Sequence, residues 1–565
     1  MDDAVYNELL KMVGADNITK DPAILDTYAF QWCNEVENAQ KGRKPTRFGE
    51  RPAAVVLPGS VDEVQAIVRL CNKAGLTFKA HSTGFGAWAG ITVPGAIQID
   101  LRRMNRILEI NTKNHYAVVE PYVTNGQLQS ELVKLGFMHH AQGAGPQTSP
   151  LASHTSMVGP GFTSAYTGFS GRNLLGAEWV MPDGEVIRLG SFDHSGEWFT
   201  GDGPGPSLRG IARGLMGAYG GLGVFTKAAI KLYSWPAPAD WRWEMKGTVP
   251  DYEWNVPPYW KMFVLNFPDW EIFEKAFYKI NDADISMMAM ASSAEGLATM
   301  FTNTKEQALE TIVAGVLTKA QRYFVVLVAA HTEREFQYRT KVVKSIAEEF
   351  HGEDLIESGL VTPMPMHYAE GIRNMLGSHA FRFTSCFQST HGGMDTIAMS
   401  VNIGKINKPI KEKYIANHLI GDDRGEGMWI TGYEGGHMAH MEIPTIYDPA
   451  DMDSCKGYAD YQDECNRADI DHHLGIPFFI VGDRIHDVFG PSTSNYQDWL
   501  RKIKGSFDPH GASDPGHYVS VRATPVSASP KAKRKPARAA PKRQAASAKQ
   551  KAKPKSKRGQ KRKAA

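Results

Sequence analysis

Long apolar runs are missing from this chain of 565 residues. The longest, Tyr323 to Ala330, falls far short of the ~18 apolar residues that a membrane span needs. The start, MDDAVYNELL, is acidic and lacks the basic and apolar blocks of a secretory leader. Cysteine is scarce: Cys33, Cys71, Cys386, Cys455 and Cys465, with no Cys-x-x-Cys pair among them. That argues against a four-cysteine zinc site or an iron–sulfur cluster within the chain. The odd count and the leaderless start give the expectation of free thiols in a reducing cytoplasm. Acid is missing from one stretch. From Lys531 to Ala565 there are 16 Lys or Arg and no Asp or Glu. Residues 1–530 hold 47 basic and 61 acidic residues, so the net charge of +2 conceals an acidic body and a cationic tail. From Ser529 the tail also lacks aromatic and branched aliphatic side chains. It cannot bury a core, and disorder is the expectation over 529–565.

What is present is ordinary for a soluble globular protein: 42% hydrophobic and 22% charged residues. At roughly 100–200 residues per domain, two or more domains are expected. Residues 3–50 read as a helical prelude, with Val5, Leu9, Met12 and Val13 at helical spacing. Strand and helix then alternate. Ala53 to Leu57 is a short apolar strand. Ser60 caps a helix carrying Val64, Ile67, Val68 and Cys71, with Asp62 and Glu63 in its first turn, and Gly75 ends it. Leu76 to Ala80 is a second strand, and a glycine-bearing loop follows from His81 to Gly90. A second stretch rich in glycine and serine, Gly143 to Gly171, is long enough to suggest a functional loop. Two strands joined by Pro182-Asp183-Gly184 come next, then the run Leu208 to Thr226. Composition shifts at Trp235-Pro236-Ala237-Pro238, and six of the twelve tryptophans lie between Trp235 and Trp270. Loops whose backbone N–H groups converge after a strand suit a diphosphate, because side chains would block its approach.

The segment Arg51 to Leu232 resembles the flavin-binding half of FAD oxidoreductases of the vanillyl-alcohol oxidase/p-cresol methylhydroxylase type. Glycolate oxidases and D-lactate dehydrogenases are members. Arg51-Pro-Ala-Ala-Val-Val-Leu-Pro58 with Asp62-Glu63-Val64 is similar to the first βα unit of that family. "MNRILEIN" (104–111) and "YAVVEPYVT" (116–124) resemble its next strands. "GAEWVMPDGEVIRLG" (176–190) and "GGLGVFTKAAIKLY" (220–233) are the most specific matches. "WLRKIKGSFDPHGASDPG" (499–516) resembles the C-terminal helix and turn that return to the flavin domain. The resemblance implies an α+β fold: a two-subdomain PCMH-type FAD-binding domain over 1–235, an antiparallel-sheet cap over 236–475 that faces the substrate, and a return segment over 476–520. It implies FAD bound by Ser82, Thr83, Gly84, Phe85, Gly86, Ala87, Ser156, Gly159, Gly161, Gly223 and Val224. Where relatives carry an attachment histidine near the end of the first loop, this chain has Gly86, which excludes covalent attachment there. A side chain placed on Gly84 is expected to fill the position of the diphosphate.

Oxidation of a CH–OH group by FAD needs a base for the hydroxyl proton, and a hydroxy acid also needs a cation for its carboxylate. In Tyr433 to Glu442, read as a strand, alternation puts His440 and Glu442 on one face and His437 on the other. His440 and Glu442 can pair as base and orienter, or share a divalent metal with a histidine from elsewhere. Asp471-His472-His473-Leu474-Gly475 resembles a segment that lies near the flavin in relatives, which favours His473; a helix C-terminus with a capping glycine is the plainer reading. Arg382, between Phe381 and Phe383, is a carboxylate-anchor candidate. Tyr433 and Tyr368 are further phenol-binding candidates.

These residues lead to an expected oxidoreductase for a 2-hydroxy acid of the lactate or glycolate type, with a para-substituted phenol or aryl alcohol as the alternative. The electron acceptor is expected to be oxygen, a quinone, a cytochrome or a partner redox subunit, and a homodimer is compatible with the family. The tail suggests a competing class, a polyanion-binding protein. Its lysines and arginines suit anionic lipid or nucleic acid, including a peripheral place at a membrane, but it has no aromatics to stack on bases.

Overall fold

The structure, a computed structural model, describes residues 1–84, 88–140, 146–157, 159, 161–190, 208–212, 217–242, 244–246, 253–292, 298, 304–315, 320–361, 389–422, 428–477 and 481–521. Residues 1–524 form one compact unit. Three larger sheets and one two-stranded hairpin organise its described residues.

The first sheet holds β1 (Ile18–Thr19), β2 (Ala54–Val56), β3 (Phe78–His81) and β4 (Ile97–Asp100) in the order β1-β2-β4-β3. β4 runs parallel to both β2 and β3. Strands that run parallel need a crossover, and the helix Val61–Ala74 supplies it from β2 to β3, on either side of β4. Ser60 Oγ accepts the Glu63 N–H (3.2 Å), and the Glu63 carboxylate accepts the Gly59 N–H (2.7 Å). Gly75, at φ 65°, closes the helix in the left-handed region. Val64, Ile67, Val68 and Cys71 pack on Val56, Phe78 and Ile97.

The second sheet holds β5 (Ile107–Asn111), β6 (Tyr116–Val119), β7 (Phe137–His139), β8 (Leu174–Val180), β9 (Val186–Leu189) and β10 (Val224–Ser234). Its order is β5-β6-β10-β8-β9, with β7 beside the far end of β10, and its pairs are antiparallel. β8 and β9 form the hairpin around Pro182-Asp183-Gly184. There Gly184 sits at φ 86° and donates its N–H to the Met181 carbonyl.

After the short hairpin of β11 (Met245–Lys246) and β12 (Glu253–Trp254) comes the third sheet. It holds β13 (Trp260–Asn266), β14 (Met288–Ala291), β15 (Tyr323–Ala329), β16 (Glu353–Asp354), β17 (Ser389–Asp395), β18 (Trp429–Tyr433), β19 (Met438–Thr445) and β20 (Ile476–Pro477). The order is β16-β13-β15-β14-β18-β19-β17-β20, antiparallel throughout. Alternation gives it two apolar faces. Phe263, Phe324, Val326, Ile430, Met441 and Ile443 pack under the helices Trp270–Asp282, Glu333–Glu349 and Ile397–Ala416. Met262, Val264, Met288, Met290, Val325 and Leu327 face the other way, onto Met138, Phe162 and Trp235 of the earlier sheets' segments. Trp260 binds this junction, its Nε1–H on the Pro236 carbonyl (2.5 Å) and its ring 5.4 Å from that of Trp235.

The segment after the third sheet lies against the first two. The helix Tyr496–Phe507 places the Phe507 ring edge-on to Trp179 (6.0 Å). Lys504 Nζ, fully buried, donates to the carbonyls of Gly221 (2.7 Å) and Ser513 (2.8 Å) and pairs with Asp508. Phe78 of β3 donates its N–H to Ala512 and accepts that of Asp514. Asp514 in turn takes the N–H and hydroxyl of Thr92.

Candidate functional site

β3 ends at His81 and delivers Ser82, Thr83 and Gly84 to a cleft between the first two sheets. The cleft encloses about 790 Å³ of empty space, solvent at its mouth included. Besides those residues, its wall includes His81, Trp88, Ser149, Ser153, Ser156, Tyr219, Gly220 and Gly223. Ser82 Oγ and Ser149 Oγ both donate to the Pro121 carbonyl (2.9 and 2.6 Å), which ties the two loops that flank the cleft. Ser149 also caps the helix Pro150–Thr155, where proline at the first position is preset for helix. Thr83 N–H turns back onto Ser82 Oγ (2.6 Å).

Two glycines show how closely backbone approaches here. Gly84 has φ 70°, and a Cβ on it would lie 2.6 Å from His81 Nε2. Gly223 has φ 84°, and a Cβ there would lie 2.3 Å from the Val180 carbonyl oxygen. For Gly84 the structure adds a neighbour to the sequence-based reason: a side chain there would also meet the His81 imidazole. Two corrections follow, one from where N–H groups point and one from burial. Gly159 and Gly161 donate to Ser170 Oγ (2.7 Å) and Ser164 Oγ (2.8 Å), so those N–H groups serve their own loop. Val224 is fully buried in the core with Val180; its neighbours Gly223 and Phe225 line the cleft instead. Phe85, Gly86 and Ala87 lie outside the described residues.

The residues present fit an FAD. The cleft has glycines at close approach, hydroxyls beside the loop, and two buried polar atoms, His81 Nδ1 and Tyr219 OH, with no partner among the described residues. Burial lowers the His81 pKa, against the nearby Asp100 carboxylate. Behind the cleft, burial likewise pushes His139 down to about 4 and His154 to about 3, so both imidazoles are neutral.

The third sheet carries the other expected side chains, which are not among the residues lining the cleft. Thr431 pairs with His440 and Trp429 with Glu442 across β18 and β19. These four side chains and Tyr433 therefore share one face. His440 is fully buried, and its Nε2 meets Glu442 Oε1 at 2.6 Å. In the tautomer whose Nε2 proton goes to the carboxylate, the lone pair lies on Nδ1. The Trp429 ring lies 5.1 Å from that of His440. Tyr433 is buried, and burial, then Glu442, raises its phenol pKa well above the ordinary value. The stretch that lines the cleft also reaches this face: Phe162 contacts Trp429 (6.1 Å) and Phe169 contacts Tyr433 (5.7 Å).

Two expected members fall elsewhere. His437 does not lie on a strand. Gly435 and Gly436, at φ 68° and 81°, turn the chain between β18 and β19, and His437 sits exposed on that turn. His473 ends the helix Met452–His472 in the left-handed conformation (φ 59°) and is exposed, the plainer of its two readings. Arg382 and Tyr368 lie outside the described residues. Among the described residues no group of three or more His, Cys, Asp or Glu is placed to hold a metal. Ser149 and Ser153 belong to the stretch read as a functional loop, whereas Trp88 and Tyr219 were not expected in the cleft. Trp88 and Tyr219 stand inside the two glycine-rich runs, which is the signal that could have found them.

Comparison with known proteins agrees with this geometry. Residues 52–190 match a family model described as an FAD binding domain. The chain is 26% identical over 237 residues to D-2-hydroxyglutarate dehydrogenase of Stutzerimonas stutzeri, covering 42% of this chain and 46% of that one. It is 31% identical over 212 residues to the 4-cresol dehydrogenase [hydroxylating] flavoprotein subunit of Pseudomonas putida, covering 35% and 37%. The chain thus spans less than half the length of these curated relatives. In fold it is similar to p-cresol methylhydroxylase solved with substrate bound: TM-score 0.70, 18% identity, 92% of this chain and 97% of that one. It is also similar to alkyldihydroxyacetonephosphate synthase, with TM-score 0.61 and 15% identity. This chain therefore carries an FAD binding domain, and its α+β fold is that of the p-cresol methylhydroxylase-type flavoproteins.

Proposed function

We propose that the chain is an FAD-dependent oxidoreductase that oxidises a CH–OH group, with residues 1–235 and 476–520 holding FAD and the third sheet of the 236–475 region covering the substrate. The observation that carries this is the buried His440–Glu442 pair (2.6 Å) on a sheet face touched by Phe162 and Phe169, which follow the cleft-lining residues Thr148 to Met157 in the chain. FAD, when bound, would supply the acceptor for the hydride of the substrate carbon. His440 Nδ1 takes the hydroxyl proton. Glu442 fixes the imidazole tautomer and stabilises the imidazolium that forms. Trp429, Phe162 and Phe169 keep water from the reacting carbon. The two electrons then pass to an acceptor, whether oxygen, a quinone, a cytochrome or a partner redox subunit.

A 2-hydroxy acid of the lactate or glycolate type is the leading substrate class, with Arg382 as its carboxylate anchor. The second reading, a para-substituted phenol or aryl alcohol, draws on the aromatic face and on the buried Tyr433 hydroxyl. His440→Ala is expected to slow substrate-driven flavin reduction by about 10²–10⁴-fold, the range of a general base. Anaerobic stopped-flow at the flavin absorbance bands measures it. Reduction at the wild-type rate would remove His440 from the mechanism.

A further inference from the structure

The run Leu208 to Thr226 carries one tyrosine in a place that neither packing nor backbone preference explains. Tyr219 has φ 47°, a left-handed conformation in which a bulky residue is an outlier. Its N–H is held by the Ser156 carbonyl (3.0 Å), and Gly220 beside it is also at positive φ (79°). The conformation turns the ring into the cleft wall, tilted 55° against Trp88 with centroids 5.3 Å apart. The side chain is 5% exposed, and its hydroxyl has no hydrogen-bond partner among the described residues. Burial raises its pKa, so the phenol stays protonated and remains a donor. A strained backbone that delivers an unpaired buried donor to a ligand cleft points to a ligand acceptor.

We propose that Tyr219 is a cofactor-binding residue, its O–H donating a hydrogen bond to FAD, with the Trp88–Tyr219 pair forming the aromatic wall of the cleft. The proposal rests on FAD occupying this cleft. It has a thermodynamic signature that a packing role does not share. In the apoprotein the hydroxyl is a buried donor without an acceptor, so deleting it relieves a cost. In the holoprotein the same deletion removes a hydrogen bond.

Tyr219→Phe keeps the ring and the backbone conformation, and so tests the hydroxyl alone. Wild type and variant are titrated with FAD, following the fluorescence of the free flavin, and each is melted with and without FAD. The expected result is an FAD Kd raised about tenfold, a smaller FAD-induced rise in Tm, and an apoprotein Tm unchanged or higher. An FAD Kd within twofold of wild type overturns the proposal. So does a lower apoprotein Tm, because the hydroxyl would then be serving the protein's own packing. A wild-type chain that takes up no FAD overturns the cofactor assignment as well, and is recognised from the wild type alone.

Discussion

Lys79 shows most sharply what a single residue in this fold endures. It is 1% exposed, on the strand that feeds the cleft, and its Nζ meets His517 Nδ1 at 2.6 Å. Burial lowers its pKa to about 8, with the Asp514 carboxylate acting the other way. His517 is pushed well below its usual value by burial and then by Lys79 itself. The consequence for stability has a definite sign. Below pH 8 Lys79 is charged in both the native and the unfolded chain, and the native state bears the full desolvation cost. Between pH 8 and the ordinary 10.5 the native lysine is neutral while the unfolded one still binds its proton, so this residue's contribution to stability rises with pH. At about 1.4 kcal/mol per unit the gain is about 3–4 kcal/mol. Lys79→Met is expected to flatten that rise and to stabilise the chain at pH 7; urea unfolding of both chains at pH 7 and pH 10 measures it. Parallel pH dependences in the two chains would clear Lys79. At this scale the sequence was readable where one residue dictates its own local geometry. Ser60 as a cap and Gly75 as a stop needed no partner from elsewhere. His473 was not, because its place depends on how far the helix from Met452 runs.

At the scale of elements, what could be read was periodicity, and what could not was interruption and pairing. Tyr433 to Glu442 alternates well enough to pass for one strand. Two adjacent glycines at positive φ break it into β18 and β19, and that break removes His437 while leaving His440 and Glu442 paired on one face. β17 contains His391-Gly-Gly393, and consecutive glycines hide a strand from any propensity argument; it forms because β19 pairs with it along its whole length. The second glycine-rich stretch was read as a cofactor loop throughout. Its part from Thr148 to Met157 does line the cleft, whereas Gly159 and Gly161 spend their N–H groups on nearby serines. Glycine content marks close backbone approach, but it does not say to what. The segment after Tyr496 was legible for a different reason. Its Phe-Asp-Pro-His-Gly sequence carries a family resemblance, and the contacts of Ser513 with Gly223 and of Lys504 with Gly221 tie it to the glycines of the cleft.

Taken whole, the chain separates charge as well as fold. The cationic stretch from Lys531 to Ala565 follows an acidic body, and none of the side chains assigned to the cleft or to the sheet face lies in it. A chain ending at residue 528 is therefore expected to keep its flavin and its turnover with a soluble acceptor. It should lose any binding to anionic vesicles or DNA that weakens as salt rises. Co-sedimentation and gel-shift titrations across ionic strength measure this, and anion binding unchanged by the truncation would contradict it. No described helix is long and apolar enough to cross a membrane.

The central claim is that this chain binds FAD in the cleft and uses the face bearing His440 to reduce it with a CH–OH donor. The most direct measurement is anaerobic: the purified full-length chain, carrying its flavin, is mixed with 2-hydroxy acids and with para-substituted phenols and aryl alcohols while the flavin absorbance is followed. The account predicts a yellow protein whose flavin bleaches with one of these classes, and bleaches far more slowly in the His440→Ala chain. A protein that cannot be reconstituted with FAD, or one whose flavin stays oxidised with every donor of both classes, would contradict it.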